Sequence, residues 1–351
     1  MNNLATIPSP AFEFSEDPCE AELDGALIKE IFGNDGPSLA QFLRFCAHSL
    51  ETPLAGPTSR RFRHRRNSFL NAGLAELAFA PSDARWIQIG ARPADARNIK
   101  EVYRVVLAQV RDLLDQNRIS NFFFLHKPPG LRLRFETRSQ NLRSARADLW
   151  ATFVELQERE IIADLTPAVY EPESYLFGGT RSMRFVHDLF TFDSLAWLDF
   201  HTTNTASQPG AAWMVSLIML RRIFGGLGIS GWEDLDVWER IRDKTGRSLP
   251  SEVRDSESFK VFSEQIRAAW QNDETFRDQL PADLTDKLQS FNSSTSPLLS
   301  RWLSEYFQTS HATIGPREAA AFFTIFHWNR AGIPLARQAL ITEALLRRAG
   351  K

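Results

Sequence analysis

The spacing of apolar residues changes period several times along the chain, and each change marks an element. Ile99, Val102, Tyr103, Val106, Val110, Leu113 and Leu114 recur at helical spacing, predicting an amphipathic helix over 96–118. Upstream of it, after the break Pro81-Ser82-Asp83, Arg85-Trp86-Ile87-Gln88-Ile89 is a β-favouring run bounded by turn formers and predicts a strand. Asn121 to Lys127 reads as a buried strand, and Pro128-Pro129-Gly130 as the turn that sends the chain back. Leu131, Leu133 and Phe135 then alternate with Arg132 and Arg134, the period-two pattern of a half-buried strand. Both arginines therefore share one face. Ser139 is the predicted N-cap of a helix buried through Leu142, Ala145, Leu149, Phe153 and Leu156.

The order strand, helix, two strands, helix, strand predicts an α+β fold, a small sheet layer with helices packed on it. After Gly179 helical patterns succeed one another over 183–198, 211–224, 232–241, 259–270, 298–307, 319–329 and 335–348, so the C-terminal half reads as mostly α-helical. Pro334 and Gly350 mark the two ends of the last helix. The Ser/Thr-rich piece from Ser290 to Ser296 reads as a loop. Gly226-Leu227-Gly228-Ile229-Ser230-Gly231 follows a helix pattern rather than a strand, so it reads as a helix stop and not as a dinucleotide loop. Residues 1–83 read as a separate unit, with helical spacing through Leu23, Ile28, Ile31 and Phe32, then through Leu39, Phe42, Leu43 and Cys46, followed by an arginine run. Residues 84–351 form the second unit.

Composition narrows the classes. With 351 residues, 43% hydrophobic and 24% charged, the chain can bury one large core or two smaller ones. A formal charge of -2 removes any bulk-charge argument for nucleic acid. Cys19 and Cys46 lie far apart without metal-type spacing, so neither a disulfide framework, a zinc site nor any other metal or cofactor is expected. Residues 1–18 lack the positive and apolar regions of a secretory signal. The longest apolar run ends at Arg221-Arg222, far short of the ~20 residues of a membrane span. A cytoplasmic protein with no membrane partner is the expectation.

One stretch is asked for by no general folding rule: Tyr170-Glu171-Pro172-Glu173-Ser174-Tyr175-Leu176-Phe177-Gly178-Gly179, followed by Phe190-Thr191-Phe192-Asp193-Ser194. Arg132 and Arg134, ~7 Å apart by strand rise, can hold a carboxylate or an enolate-like oxygen, or can form a solvated strand face. Glu171 and Glu173 flank Pro172, and in an extended segment point the same way. They can polarise an amide or work as acid and base, or can simply pair with Arg132 or Arg134. Gly178-Gly179 supplies backbone freedom at a strand-to-helix turn, with N–H groups where a substrate carbonyl or anion would bind. Asp193 and Ser194 are poor residues for a helix interior and should face something polar. Tyr306 is a candidate proton donor or a core tyrosine. His327 lies beside Phe322, Phe323 and Phe326, and Asn329-Arg330 follow it.

Together with Phe122 to Phe135 and His327-Trp328-Asn329-Arg330, these motifs resemble the C-terminal glutamate-elimination domain family of nisin-type lanthipeptide dehydratases, over residues 84–351. Free-standing members of that family include thiopeptide tailoring enzymes. The resemblance implies function for Arg132 and Arg134, which match an Arg-x-Arg motif, and for Ser194, which matches the serine of an Asp-Ser in pyridine-forming relatives. Three departures stand out: Thr191 where those relatives carry His, Ile325 where the elimination domains carry His, and Leu176 where they carry Arg.

The expected function is therefore a pyridine synthase-like cyclase of ribosomally made peptides. It would join two dehydroalanines by a formal aza-[4+2] cyclisation with loss of water and leader peptide. Ser194, Tyr306, His327, Glu171 and Glu173 would be catalytic, and Arg132, Arg134, Asp193, Gly178, Gly179, Asn329 and Arg330 would bind substrate. Arg60, Arg61, Arg63, Arg65 and Arg66 would dock an acidic leader; RNA phosphates or a plain solvated edge are the other readings of that run. The alternatives are a glutamate-elimination subunit of a split dehydratase and a non-catalytic peptide-binding subunit. The expected partners are the precursor peptide, other pathway enzymes and a second copy in a homodimer.

Overall fold

A computed structural model describes residues 84–127, 130–203, 211–272 and 280–347. The expected unit 1–83, with Cys19, Cys46 and the leader-docking Arg60, Arg61, Arg63, Arg65 and Arg66, lies outside the described residues, as do Pro128, Pro129 and Gly350.

The first elements follow the expected order: β1 (Ala84–Pro93), α1 (Ile99–Asp115), β2 (Asn121–Lys127), β3 (Gly130–Arg138), α2 (Ser139–Glu158) and β4 (Ile162–Ala168). The strands form one sheet in the order β2-β3-β1-β4, every neighbouring pair antiparallel. Strand β3 thus slots between β1 and β2, a split β-α-β arrangement. Because side chains alternate across a strand, Ile87, Ile89, Phe122, Phe124, Leu133 and Phe135 fall on one face, and all six are buried. Helix α2 packs on β1, β3 and β4, and α1 sets Tyr103 against Phe124.

The half-buried reading of β3 is too simple: Leu133 to Thr137 are buried on both faces, and only Arg132 and Arg138 at its ends are exposed. Ser139 is also displaced from its expected place, since α2 begins at Ser139 itself and Arg138 holds the N-cap position without a side-chain cap.

A 3₁₀ turn (Ser174–Phe177) leads through Gly178 and Gly179, both at positive φ, into α3 (Thr180–Thr202). The chain then continues through α4 (Ala211–Gly226), α5 (Glu233–Thr245), the short α6 (Ser251–Arg254), α7 (Glu257–Gln271), α8 (Ala282–Trp302), a π-helical turn (Leu303–Phe307), α9 (Pro316–Arg330) and α10 (Leu335–Leu346). The expected loop from Ser290 to Ser296 is corrected to the middle of α8. Its hydroxyls do not break the helix, because those of Ser293, Thr295 and Ser296 return to the carbonyls of Gln289, Phe291 and Asn292 one turn earlier. Phe291, Leu298, Leu299 and Trp302 supply the buried stripe that decides the matter.

Helix α9 is the hub that ties the helical part to the sheet, touching β2, α3, α4 and α5. Trp238, Trp270 and Trp328 cluster with Phe224 where α4, α5, α7 and α9 meet. Truncating one such buried tryptophan to alanine costs about 3–5 kcal/mol.

Candidate functional site

The second face of the sheet carries polar residues in ladder positions. Arg132 lies opposite Gly90 on β1 and Leu125 on β2, and Arg134 opposite Gln88 and Phe123. Glycine at position 90 offers no side chain to cover its neighbour, so Arg132 is exposed. Arg134 is 4% exposed.

Arg134 is held on three sides. Its Nε donates to Gln88 Oε1 at 2.7 Å, and its guanidinium carbon stands 4.4 Å from the Tyr170 ring centre and 5.0 Å from that of Phe123. Glu173 supplies the counter-charge, with Oε1 3.7 Å from Arg134 Nη1, an ion pair beyond hydrogen-bond reach. Two buried atoms at this junction, Arg134 Nη1 and Glu173 Oε2, have no hydrogen-bond partner. Burial pulls the Arg134 pKa down, and the Glu173 charge opposes that pull.

Beneath Arg134, the Tyr170 hydroxyl meets His187 Nε2 at 2.9 Å. Trp86 packs against both rings. Burial, aided by the nearby Arg134 charge, pushes His187 down to about 3, so it is neutral at pH 7. Burial also raises the Tyr170 phenol well above its usual value. Glu171 and Arg132 are exposed, as are the apolar side chains of Val169 and Tyr175 on the chain segment that carries Glu173. Glu171 and Glu173 do not point the same way as expected: Glu173 turns in to Arg134 while Glu171 faces outward.

The remaining expected site residues are built into the scaffold. Asp193, on α3, receives His327 Nδ1 at 2.7 Å and Arg330 Nε at 2.5 Å, both from α9, and His327 Nε2 meets Ser216 Oγ of α4 at 2.9 Å. The order Asp, His, Ser has the connectivity of a charge-relay triad, yet all three residues and Arg330 are 0% exposed, so no acyl group reaches Ser216. Burial by itself raises the Asp193 pKa, but the facing His327 and Arg330 outweigh it and hold the carboxyl below its ordinary value. Arg330 leaves its Nη atoms without acceptors and lays its guanidinium over Phe190.

Ser194, Thr191 and Asn329 seal the outer edge of β2. Thr191 Oγ1 accepts from the Phe122 N–H, Ser194 Oγ from Phe124, and Asn329 Oδ1 from His126, while Asn329 Nδ2 donates to the His126 carbonyl. An edge strand must have its free backbone groups met, and here α3 and α9 meet them with side chains.

Tyr306 is likewise a latch. It sits in the π-helical turn, donates to the Gly178 carbonyl at 2.9 Å and accepts from the Thr313 N–H at 3.1 Å. The N–H groups of Gly178 and Gly179 both turn back to the Ser174 carbonyl, which leaves neither for a substrate. A Cβ on Gly178 would come within 1.9 Å of the Tyr306 hydroxyl, so glycine is required there both for its φ of +80° and for space.

The structure thus pairs Arg134 with Glu173, leaves Arg132 and Glu171 exposed, and places Ser194, Tyr306, His327, Asp193, Gly178, Gly179, Asn329 and Arg330 in buried or bonded positions. Sequence reading missed Gln88, Tyr170 and His187 as parts of the site. Tyr170 opens the unusual motif, and Gln88 interrupts an apolar strand, so both left a signal; His187 left none within its helix pattern. Leu176 and Ile325, where the resemblance implies Arg and His, are both half-buried alkyl side chains.

Among the described residues no cluster of three or more His, Cys, Asp or Glu is arranged to hold a metal ion, and no helix is long and apolar enough to cross a membrane. The tRNA-dependent lantibiotic dehydratase MibB from Microbispora sp. 107891 aligns with 74% of this chain at 18% identity and a TM-score of 0.55. The chain corresponds to only 27% of that protein's length, and the likeness is one of fold. The structure of TsrL aligns with 75% of this chain and 93% of its own, at 14% identity and a TM-score of 0.45. No curated protein matches the chain. The family model for the C-terminal part of lantibiotic biosynthesis dehydratases matches residues 86–349. A match over that much of the sequence settles membership: the chain belongs to the lantibiotic biosynthesis dehydratase C-terminal family.

Proposed function

We propose that the protein is a tailoring enzyme of ribosomally made peptides that closes a pyridine-type ring from two dehydroalanines and the amide between them, by formal aza-[4+2] cyclisation with loss of water and leader peptide. The observation that carries this reading is that Arg132 and Glu171 are exposed, each two residues from its neighbour in the buried ion pair of Arg134 and Glu173. Such a cyclisation asks for alignment of two peptide segments and for modest proton donors and acceptors that favour the iminol form of an amide. A carboxylate beside a guanidinium meets that need.

Glutamate elimination is the second reading, and the Arg-x-Arg pair favours it because two cations can hold a leaving carboxylate. It also needs a base for a Cα proton. Of the two histidines near the expected chemistry, His327 is sealed and His187 is bound to Tyr170. Leu176 and Ile325 supply no proton acceptor at all. These features favour cyclisation. In either reading the partner is a precursor peptide with its leader, together with the pathway enzymes that install its dehydroamino acids.

Mass spectrometry of the full-length protein with two peptides tests the reading, one bearing a leader and two dehydroalanines, the other a glutamylated serine. Loss of water and leader from the first supports ring formation. Loss of glutamate from the second, with no change in the first, replaces cyclisation by elimination.

A further inference from the structure

Helix α2 carries apolar residues on two faces. Ala145, Leu149, Phe153 and Leu156 recur at helical spacing and are buried, which accounts for the face turned to the sheet. On the outer face Ala147, Trp150, Ala151 and Val154 also recur at steps of three and four residues, and here the alanines are exposed, Trp150 is 39% exposed and Val154 is half-buried. A second apolar stripe with a tryptophan at its middle is not needed to seat the helix on its sheet, and exposed apolar patches mark interaction surfaces. Arg143 and Glu158 continue the same spacing at the two ends of the stripe. Both are exposed, and neither forms an ion pair among the described residues.

We propose that the outer face of α2 is a self-association surface, taken by the same helix of a second copy of this chain running antiparallel about a two-fold axis. The stripe is self-complementary about a point between Trp150 and Ala151. Pairing centred there sets Arg143 against the partner's Glu158, Ala147 against the partner's Val154 and Trp150 against the partner's Ala151, and the two-fold repeats each contact in reverse. Large side chains meet small ones along the seam, and a cation meets an anion at both ends. A parallel pairing would set Arg143 against the partner's Arg143 and Glu158 against the partner's Glu158, so charge selects the antiparallel arrangement. The helix has 20 residues. At that length, ~30 Å, one helix pair buries less than the ~800 Å² per partner of a standard interface, so the dimer forms and dissociates with concentration.

Sedimentation velocity of the full chain over about 1 to 100 µM, the range for an interface of this size, tests the proposal. The expected result is a monomer–dimer equilibrium within that range. Trp150→Ala should weaken it by about tenfold or more, since a tryptophan at the centre of an interface is a typical hot spot. Arg143→Glu and Glu158→Arg should each weaken it by about tenfold at low salt, because either change sets like charges together at both ends of the seam. The double variant Arg143→Glu/Glu158→Arg restores opposite charges and should return the dimer to the strength of the parent. All these changes fall on the helix surface, where the fold tolerates them. A chain that stays monomeric across the range overturns the proposal. So does a dimer that the three single variants leave unchanged, which places the contact elsewhere, and so does a double variant no stronger than the single charge reversals.

Discussion

Arg132 and Arg134 stand two residues apart on one strand, yet only one of them is free to meet a solute. Gly90 leaves Arg132 uncovered, whereas Gln88, Phe123 and Tyr170 enclose Arg134. Arg132→Ala should therefore leave the melting temperature within about a degree and raise KM for the peptide about tenfold, the range for a lost charge-assisted contact. Steady-state kinetics beside a thermal melt check it, and an unchanged KM removes Arg132 from the site. The other charged group of consequence is Asp193, which neutralises Arg330 where both are 0% exposed. Asp193→Asn should cost about 3–5 kcal/mol, because it strands a buried guanidinium. Urea denaturation measures this; a loss under about 1 kcal/mol would mean that the cation–π contacts of Arg330 with Phe190 and Phe323 suffice.

Among elements, strand β2 explains most of what the sequence left ambiguous. Its apolar run was legible as a buried strand, and so was the helical period of α3 and α9. That α3 and α9 would lie along the open edge of β2 was not, because nothing in a local pattern says which backbone groups lack a partner. Three residues that read as chemistry, Ser194, Asn329 and the departure at Thr191, turn out to be the caps of that edge. Asn329→Ala should cost about 1–3 kcal/mol and speed amide exchange at His126, since it frees both the N–H and the carbonyl of that residue. Turnover by Ser194→Ala should stay within about twofold of the parent, because Ser194 Oγ serves Phe124 and lies at 0% exposure. A hundredfold loss in a fully folded Ser194→Ala protein would return Ser194 to the catalytic set. The same blindness to tertiary partners produced the false loop at Ser290 to Ser296, where hydroxyls bonded one turn back are as compatible with a buried helix as with a turn.

For the molecule as a whole, acid sensitivity follows from histidines buried without charge. Burial pushes His187 down to about 3 and His201 to about 4, and it lowers His126 as well, with the Asn329 carbonyl opposing. In the unfolded chain these rings titrate near their ordinary value of about 6.5. Below that pH the unfolded state binds more protons than the folded one, so stability is full above about pH 6.5 and falls as pH drops toward the folded values. His187 and His201 should each remove about 2 kcal/mol between pH 7 and pH 5. Urea titrations at the two pH values measure the sum, and replacing His201 by Gln should recover its share. A stability that is flat between pH 7 and pH 5 would mean that these rings stay exposed to protons in the folded protein.

The sequence by itself determined the α+β order of elements, the shared face of Arg132 and Arg134, the glycine turn into α3 and the family, because periodicity, turn chemistry and ordered motifs are local properties that survive without coordinates. It also held the raw material of the site in the run from Tyr170 to Gly179. Only the tertiary structure decided which polar residues are free. Asp193 pairs with His327 and Arg330 across 134 and 137 residues of chain, Tyr306 meets the Gly178 carbonyl across 128 and Ser194 meets the Phe124 N–H across 70, whereas Arg330, Arg134 and Glu173 keep buried polar atoms without a partner. Burial and pairing are sums over neighbours distant in sequence, and a one-dimensional pattern does not contain them.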